Sequence, residues 1–230
     1  MKLIVAANIS EDIKRKLKKE NFQLIYTFKN TNLLPGLEYH ADMQIAKVCG
    51  KYICDKSLIS FYKEALGDSA DSLVCGDFVC SSNYPKDIAY NIKVLGNNII
   101  HNFKHTDSCV KKIASGMTQI DVAQGYSGCS ICSVGDNALI TADSVIAKKA
   151  LSRGIDVLLI SPGHISLPGF DYGFIGGASF FCKNTLYFFG DATCHPDWKK
   201  IYSFCSNQNV NILNLSDEPL CDYGSAITVD

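Results

Sequence analysis

Residues Cys129–Ile160 read CSICSVGDNALITADSVIAKKALSRGIDVLLI, and they carry the signals that choose a fold. Cys129–Val134 and Ala138–Thr141 are strand-like, and Gly135-Asp136 between them has the small, polar chemistry of a two-residue hairpin turn. Asp143 then suits the cap of a helix, because its carboxylate can accept from amides that have no partner in the first turn. Ile146, Ala147, Ala150 and Leu151 recur at three- and four-residue spacing, which gives that helix one apolar face. Asp156–Ile160 closes the segment as a third strand. The order is strand, strand, helix, strand.

The same order recurs on both sides of this stretch. Gly50-Lys51 divides Met43–Cys49 from Tyr52–Cys54, Gly96-Asn97 divides Asn91–Leu95 from Ile99–Phe103, and Lys183-Asn184 divides Ala178–Cys182 from Leu186–Phe189. Helix starts follow at Asp55, Asp107 and His195-Pro196, and third strands at Leu73–Cys75, Gln119–Ala123 and Val210–Leu215. The four turns lie 39 to 48 residues apart, a period typical of repeat architectures. A fifth copy is split across the termini: Leu3–Ala7, a helix at Ser10–Glu20 and Gln23–Phe28 supply all but the first strand, which Tyr223–Val229 provides. The expectation is an α/β chain, residues 1–230 as a single domain, built as a five-unit ββαβ propeller with pseudo-fivefold symmetry. Pairing of the C-terminal strand with the N-terminal unit would close it and remove open sheet edges. The rival is one mixed sheet whose units resemble each other by chance. A dinucleotide- or phosphate-binding α/β fold is disfavoured, since neither G-x-G-x-x-G nor G-x-x-x-x-G-K-[ST] occurs at a strand-to-helix turn.

Composition narrows the function classes. Twenty-two Lys plus Arg against 23 Asp plus Glu leave a formal charge of −1, so no basic surplus exists for a nucleic acid or an anionic membrane. No apolar run approaches the roughly 20 residues of a spanning helix. The opening Met1–Ala7 is too short for a signal-peptide core, which points to a cytoplasmic chain. The 11 cysteines are odd in number and mostly sit in apolar runs, as expected of free thiols. Cys129 and Cys132, read as one strand, send their sulfurs to opposite faces and so form no zinc pair. No metal and no cofactor are expected, with metal-dependent hydrolysis by paired His and Asp residues in loops as the minor alternative.

Several segments carry a family resemblance. Tyr39-His40-Ala41-Asp42-Met43, Lys104-His105-Thr106-Asp107, Gln124–Cys129, Gly173–Ala178, Gly190-Asp191 followed by His195-Pro196-Asp197, and Asp222-Tyr223-Gly224-Ser225 together resemble a family of uncharacterised bacterial proteins of the pentein fold. That fold is shared with guanidino-group-modifying enzymes such as arginine deiminase, dimethylarginine dimethylaminohydrolase and amidinotransferases. The resemblance spans nearly the whole chain. It implies a small guanidino or amide compound bound in an axial pocket, with a cysteine attacking the guanidinium carbon, a histidine moving protons and carboxylates gripping the nitrogens. Asp222–Thr228 is similar to the enzymes' Asp-Gly-Gly-x-x-Cys segment, yet Ile227 stands at the nucleophile position. The alternative is a non-catalytic scaffold for protein interaction, as in the ribosome anti-association factors of similar fold.

The segments that feed the first strands gather at one mouth of such a ring, and polar groups converge there from distant parts of the chain. His40 and Asp42, read at alternate strand positions, share a face, either as an acid–base pair or as a structural hydrogen-bonded pair. His164 in the Pro162-Gly163 loop, Cys221 and Cys129 complete the catalytic candidates. Asp77, Asp171, Gly176, Gly177, Asp222 and Ser225 are the substrate-binding candidates. Asp77 and Cys221–Ser225 are expected to face the cavity that His40 and Asp42 face.

Overall fold

The computed structural model describes residues 1–230 and contains five sheets of three strands each. Strand β1 (Lys2–Val5), helix α1 (Glu11–Lys19) and β2 (Gln23–Tyr26) begin the chain. The second unit is α2 (Ala41–Gln44), β3 (Ile45–Val48), β4 (Lys51–Cys54), α3 (Ile59–Leu66) and β5 (Leu73–Cys75). The third is β6 (Lys93–Leu95), β7 (Asn98–His101), α4 (Ser108–Ile113) and β8 (Thr118–Asp121). The fourth is α5 (Ser127–Ser130), β9 (Ile131–Ser133), β10 (Ala138–Thr141), α6 (Ser144–Leu151) and β11 (Asp156–Leu159). The fifth is β12 (Ser179–Cys182), β13 (Thr185–Phe188), α7 (Trp198–Asn207) and β14 (Asn211–Asn214), after which β15 (Ala226–Val229) returns to β1. That last pairing is antiparallel, with Lys2 opposite Val229 and Ile4 opposite Ile227.

In every sheet the middle strand runs antiparallel to one neighbour and parallel to the other. The antiparallel step needs only a tight turn, and the parallel step needs a crossover helix. Cys49 and Gly50 both have positive φ, at 48° and 72°, as do Lys183 and Asn184, at 47° and 61°; this is the backbone of hairpin turns whose twist matches the strands. The first turn therefore falls on Cys49-Gly50, one residue before the expected Gly50-Lys51. Caps follow the sequence reading: Asp143 accepts from the amides of Val145 and Ile146 at 2.8 and 3.0 Å, and Asp107 from Cys109 at 2.8 Å.

The core is divided into five apolar clusters, each shared by two units. Ile13 and Leu17 of α1 pack with Phe180 and Phe189 of the fifth unit. Ile4 and Ile25 meet Ile45 and Tyr62, Ile53 meets Ile99 and Val110, Ile100 meets Leu139 and Ile146, and Ile140 meets Phe188 and Ile201. Burying such side chains contributes about 1.5–3 kcal/mol each, so each unit is stabilised largely by its neighbours. No helix is long and apolar enough to cross a membrane.

Two expectations about local structure fail in one way. His40 and Asp42 are not on a strand: His40 precedes the helical turn α2, which contains Asp42. Cys129 likewise lies in the helical turn α5, and only Cys132 is in the strand that follows. The two sulfurs still part, because Cys132 packs in the core beside Leu186 while Cys129 faces a polar site.

Candidate functional site

Each of the five first strands is preceded by a short lead-in, and these lead-ins are hydrogen-bonded to one another. The Gly128 amide donates to the Asn91 carbonyl at 3.0 Å, Gly177 to Cys129 at 2.9 Å, Ser225 to Gly177 at 2.9 Å and Asp42 to Gly224 at 3.2 Å. The Asn91 side-chain amide completes the series with Met43 Sδ at 3.2 Å. Small residues permit this closeness. A Cβ on Gly176 would strike the carbonyls of Gly128, Cys129 and Ile131, and one on Gly177 would strike the Asp222 carboxylate. Gly176 and Gly177, expected as substrate contacts, therefore serve to let the lead-ins pack. Ser225 does similar work, its hydroxyl donating to the Ser179 carbonyl at 2.8 Å.

Inside this arrangement the side chains of His40, Asp42, Cys129 and Asp222 converge, all buried. The Cys129 thiol donates to Asp42 Oδ2 at 2.9 Å and receives the Asn91 Nδ2 hydrogen at 3.1 Å. Asn91 also fixes the backbone, its Oδ1 accepting from the Cys129 amide at 3.2 Å. His40 Nδ1 stands 3.8 Å from Asp222 Oδ1, and Asp222 is held by the amides of Phe174 and Gly224, both at 2.9 Å. Of the seven buried side-chain polar atoms without a hydrogen-bond partner, two fall in this cluster: His40 Nδ1 and Asp42 Oδ1. Most buried polar atoms are bonded, so two orphans in one cluster mark a place built for something else.

The electrostatics follow from burial. Burial pushes the Asp42 carboxyl above the ordinary carboxylate range, against the pull of His40 and the Cys129 thiol. Asp222 is raised by burial too, and the neighbouring Asp42 adds to the rise while His40 opposes it. Burial, then the Asp42 charge, hold the Cys129 thiol well above its usual value. Lys93 approaches from the other side, its ammonium lowered by burial and supported by Cys132, Asp42 and Cys129. Two carboxylates that resist ionisation and a thiol that resists deprotonation all gain from an arriving cation.

A cleft of about 240 Å³ opens onto this cluster, lined by His40, Met43, Cys129 and Asp222 at its polar end and by Leu37, Leu167, Phe170 and Phe174 on its walls. The Tyr126 hydroxyl donates to Asp87 at 2.5 Å, and its ring stacks on Phe174 with centroids 6.4 Å apart. Asp171 is exposed at the rim. A second cavity of about 380 Å³ lies on the far side of Asp42, between the first strands, lined by Lys93, Ile227 and Thr228. Ile227 opens onto this second cavity and not onto the cleft.

Three expected residues do not join the cluster. Asp77 is exposed and bonded to the Ser108 hydroxyl at the start of α4, so it lies outside the cleft. His164 is exposed and packs edge-on against His195, with ring centroids 5.4 Å apart. Cys221 is tied by its amide to the Phe189 carbonyl at 3.0 Å; alternation along the chain turns it away where Asp222 turns in. Asn91 and Lys93 were missed. Asn91 occupies in the third unit the slot that Asp42 and Cys129 occupy in the second and fourth, and aligning the lead-ins of the repeats was the signal that could have found it.

Residues 4–227 match the protein family described as "Family of unknown function (DUF6873)". The chain belongs to that family. None of the curated proteins matches it. Among solved structures it is similar to the DDAH of Pseudomonas aeruginosa complexed with citrulline, at 7% identity and a TM-score of 0.56, over 94% of this chain and 91% of that one. The amidinotransferase SxtG of Microseira wollei gives 7% identity and a TM-score of 0.56 over 100% and 94% of the two chains. The agmatine deiminase of C. jejuni gives 11% identity and a TM-score of 0.51 over 95% and 78%. At these identities what is shared is the fold, which is the α/β pentein fold of guanidino-group-modifying enzymes.

Proposed function

We propose that this DUF6873 chain binds a small guanidino or related amide compound in the cleft above Cys129, the cationic end meeting Asp42 and Asp222. The observation that carries this reading is a cleft with apolar walls whose inner end is formed by His40, Cys129 and the buried Asp222, with the buried carboxylate of Asp42 hydrogen-bonded behind the thiol. A planar cation with several N–H donors satisfies such a pair, and the walls accept an alkyl chain. The names of the solved relatives, which include a deiminase, a DDAH bound to citrulline and an amidinotransferase, point to the same substrate class.

The reading places reactive chemistry at Cys129, not at the end of the chain. In that scheme the Cys129 thiol proton passes to Asp42, the sulfur adds to the guanidinium carbon, His40 relays that proton to the amine as the carbon–nitrogen bond breaks, and water then cleaves the S-linked amidinium to restore the thiol. The single domain is read as a five-bladed propeller with pseudo-fivefold symmetry, supported by the five shared core clusters and by the β1–β15 pairing. Calorimetric titration with n-butylguanidinium tests the proposal. Saturable binding that Asp222→Asn weakens by roughly tenfold or more is expected, the loss of one charge-assisted bond. Absence of saturable binding to the parent protein would overturn it.

A further inference from the structure

Beyond the organic ligand, the same donors describe a site for an ion. One ring nitrogen of His40, one carboxylate oxygen of Asp42 and the sulfur of Cys129 lie within 4.8 Å of one another, and all three residues are buried. They come from two units, 87 positions apart between Asp42 and Cys129, so no linear motif announces them. A tetrahedral ion with bonds of about 2.0–2.3 Å needs donors roughly 3.3–3.8 Å apart, a range inside the 4.8 Å within which these three lie. Two of the side chains also hold an uncommitted polar atom. His40 Nδ1 and Asp42 Oδ1 have no hydrogen-bond partner although His40 and Asp42 are only 2% and 7% exposed.

We propose that His40, Asp42 and Cys129 bind one divalent transition-metal ion of the zinc class. An imidazole, a thiolate and a carboxylate select such ions over magnesium or calcium, which prefer all-oxygen shells. Binding replaces a proton with a metal: the Cys129 hydrogen, held at 2.9 Å from Asp42 Oδ2, leaves to solvent, and sulfur and oxygen both turn to the ion. Three protein donors leave one tetrahedral position unfilled, the pattern of an open site, and two of the three, His40 and Cys129, line the cleft. Asn91, which donates to the Cys129 sulfur at 3.1 Å, remains as the outer support of the thiolate. Nothing in this inference depends on the guanidino reading, since it rests on the donors alone.

Cobalt(II) titration of the full-length, chelator-treated protein under reducing conditions is the test. The expected result is one Co(II) per chain, with a sulfur-to-cobalt charge-transfer band and the visible bands of tetrahedral cobalt. Cys129→Ser abolishes the charge-transfer band, and Asp42→Asn weakens binding by roughly tenfold or more. Cys221→Ser leaves both unchanged. Circular dichroism of each variant establishes that it is folded, and a variant that fails to fold is replaced by competition with Zn(II) on the parent protein, where displacement of the band at one equivalent supports the site. No charge-transfer band in the parent protein, or a band that survives Cys129→Ser because other thiols hold the metal, overturns the proposal.

Discussion

Asp55 and Asp107 are as deeply buried as Asp42, at 0% and 3% exposed against 7%, yet Asp42 is treated in the opposite way. Asp55 accepts from the Ser57 amide at 2.8 Å, the Ser57 hydroxyl at 2.6 Å and the Cys80 amide at 2.8 Å. Asp107 caps α4 with one oxygen, and with the other accepts from the amides of Asp77 and Phe78, both at 2.9 Å. Both oxygens of each are used, and the bonds tie the loop after β5 to the helices beside it. Asp42 has one partner, a thiol, and one oxygen with none. Asp222 stands between the two cases, its oxygens taken by the Gly224 and Phe174 amides at 2.9 Å while it lines the cleft; Asp42 alone of the four keeps an oxygen uncommitted.

That contrast is open to attack by mutation. Asp107→Ala removes a cap and two loop bonds together, and the expected loss is roughly 3–5 kcal/mol in urea denaturation, with the 76–80 loop becoming susceptible to protease. A loss below about 1 kcal/mol would show that saturation does not measure structural importance here.

His101 supplies a second, pH-dependent test on the structural side. Its ring bonds Thr106 Oγ1 at 2.6 Å and the Gly125 carbonyl at 2.9 Å, and burial lowers its pKa from 6.5 to about 4. The folded state therefore holds the ring neutral while the unfolded chain takes up a proton as pH falls below about 6.5. The contribution is complete above pH 6.5 and is lost as pH drops toward 4, on the order of 3 kcal/mol in all. Urea midpoints measured from pH 7 to 4 are expected to fall more steeply in the parent protein than in His101→Gln. Equal slopes would place the titration elsewhere.

The smallest effect on stability belongs to the site. Asp42→Asn removes a carboxylate whose ionisation burial opposes, and the amide oxygen can still accept the Cys129 hydrogen. Stability is expected to change by less than about 1 kcal/mol while n-butylguanidinium affinity drops by roughly tenfold or more. A strongly destabilised variant that still binds would make Asp42 another staple.

The hairpins, caps and apolar helix faces were legible because each has a local cause. Positive φ at Cys49-Gly50 and Lys183-Asn184, a carboxylate before Val145, and Ile13 with Leu17 on one face can each be read within ten residues. The lead-ins α2 and α5 were not legible. Four residues make one turn, too short for a 3.6-residue period to show, so both were read as strand. The site suffers the same limit at longer range. His40, Asp42, Cys129 and Asp222 could be nominated one by one, but nothing local separates them from Asp77, His164 and Cys221, whose exclusion depends on which way each lead-in turns.

The central claim is that Cys129, among 11 cysteines, is the thiol at a cation-binding site. Labelling with 2-chloroacetamidinium, followed by peptide mapping, tests it most directly, with neutral 2-chloroacetamide as the reference reagent. Cys49, Cys75 and Cys194 are exposed and Cys129 is buried, so the neutral reagent is expected to label the exposed three first. The cationic reagent is expected to reverse that order, labelling Cys129 first, and Asp222→Asn to slow this labelling by roughly tenfold or more. If both reagents label the exposed cysteines first and leave Cys129 intact, the buried cluster is not a site for a cation.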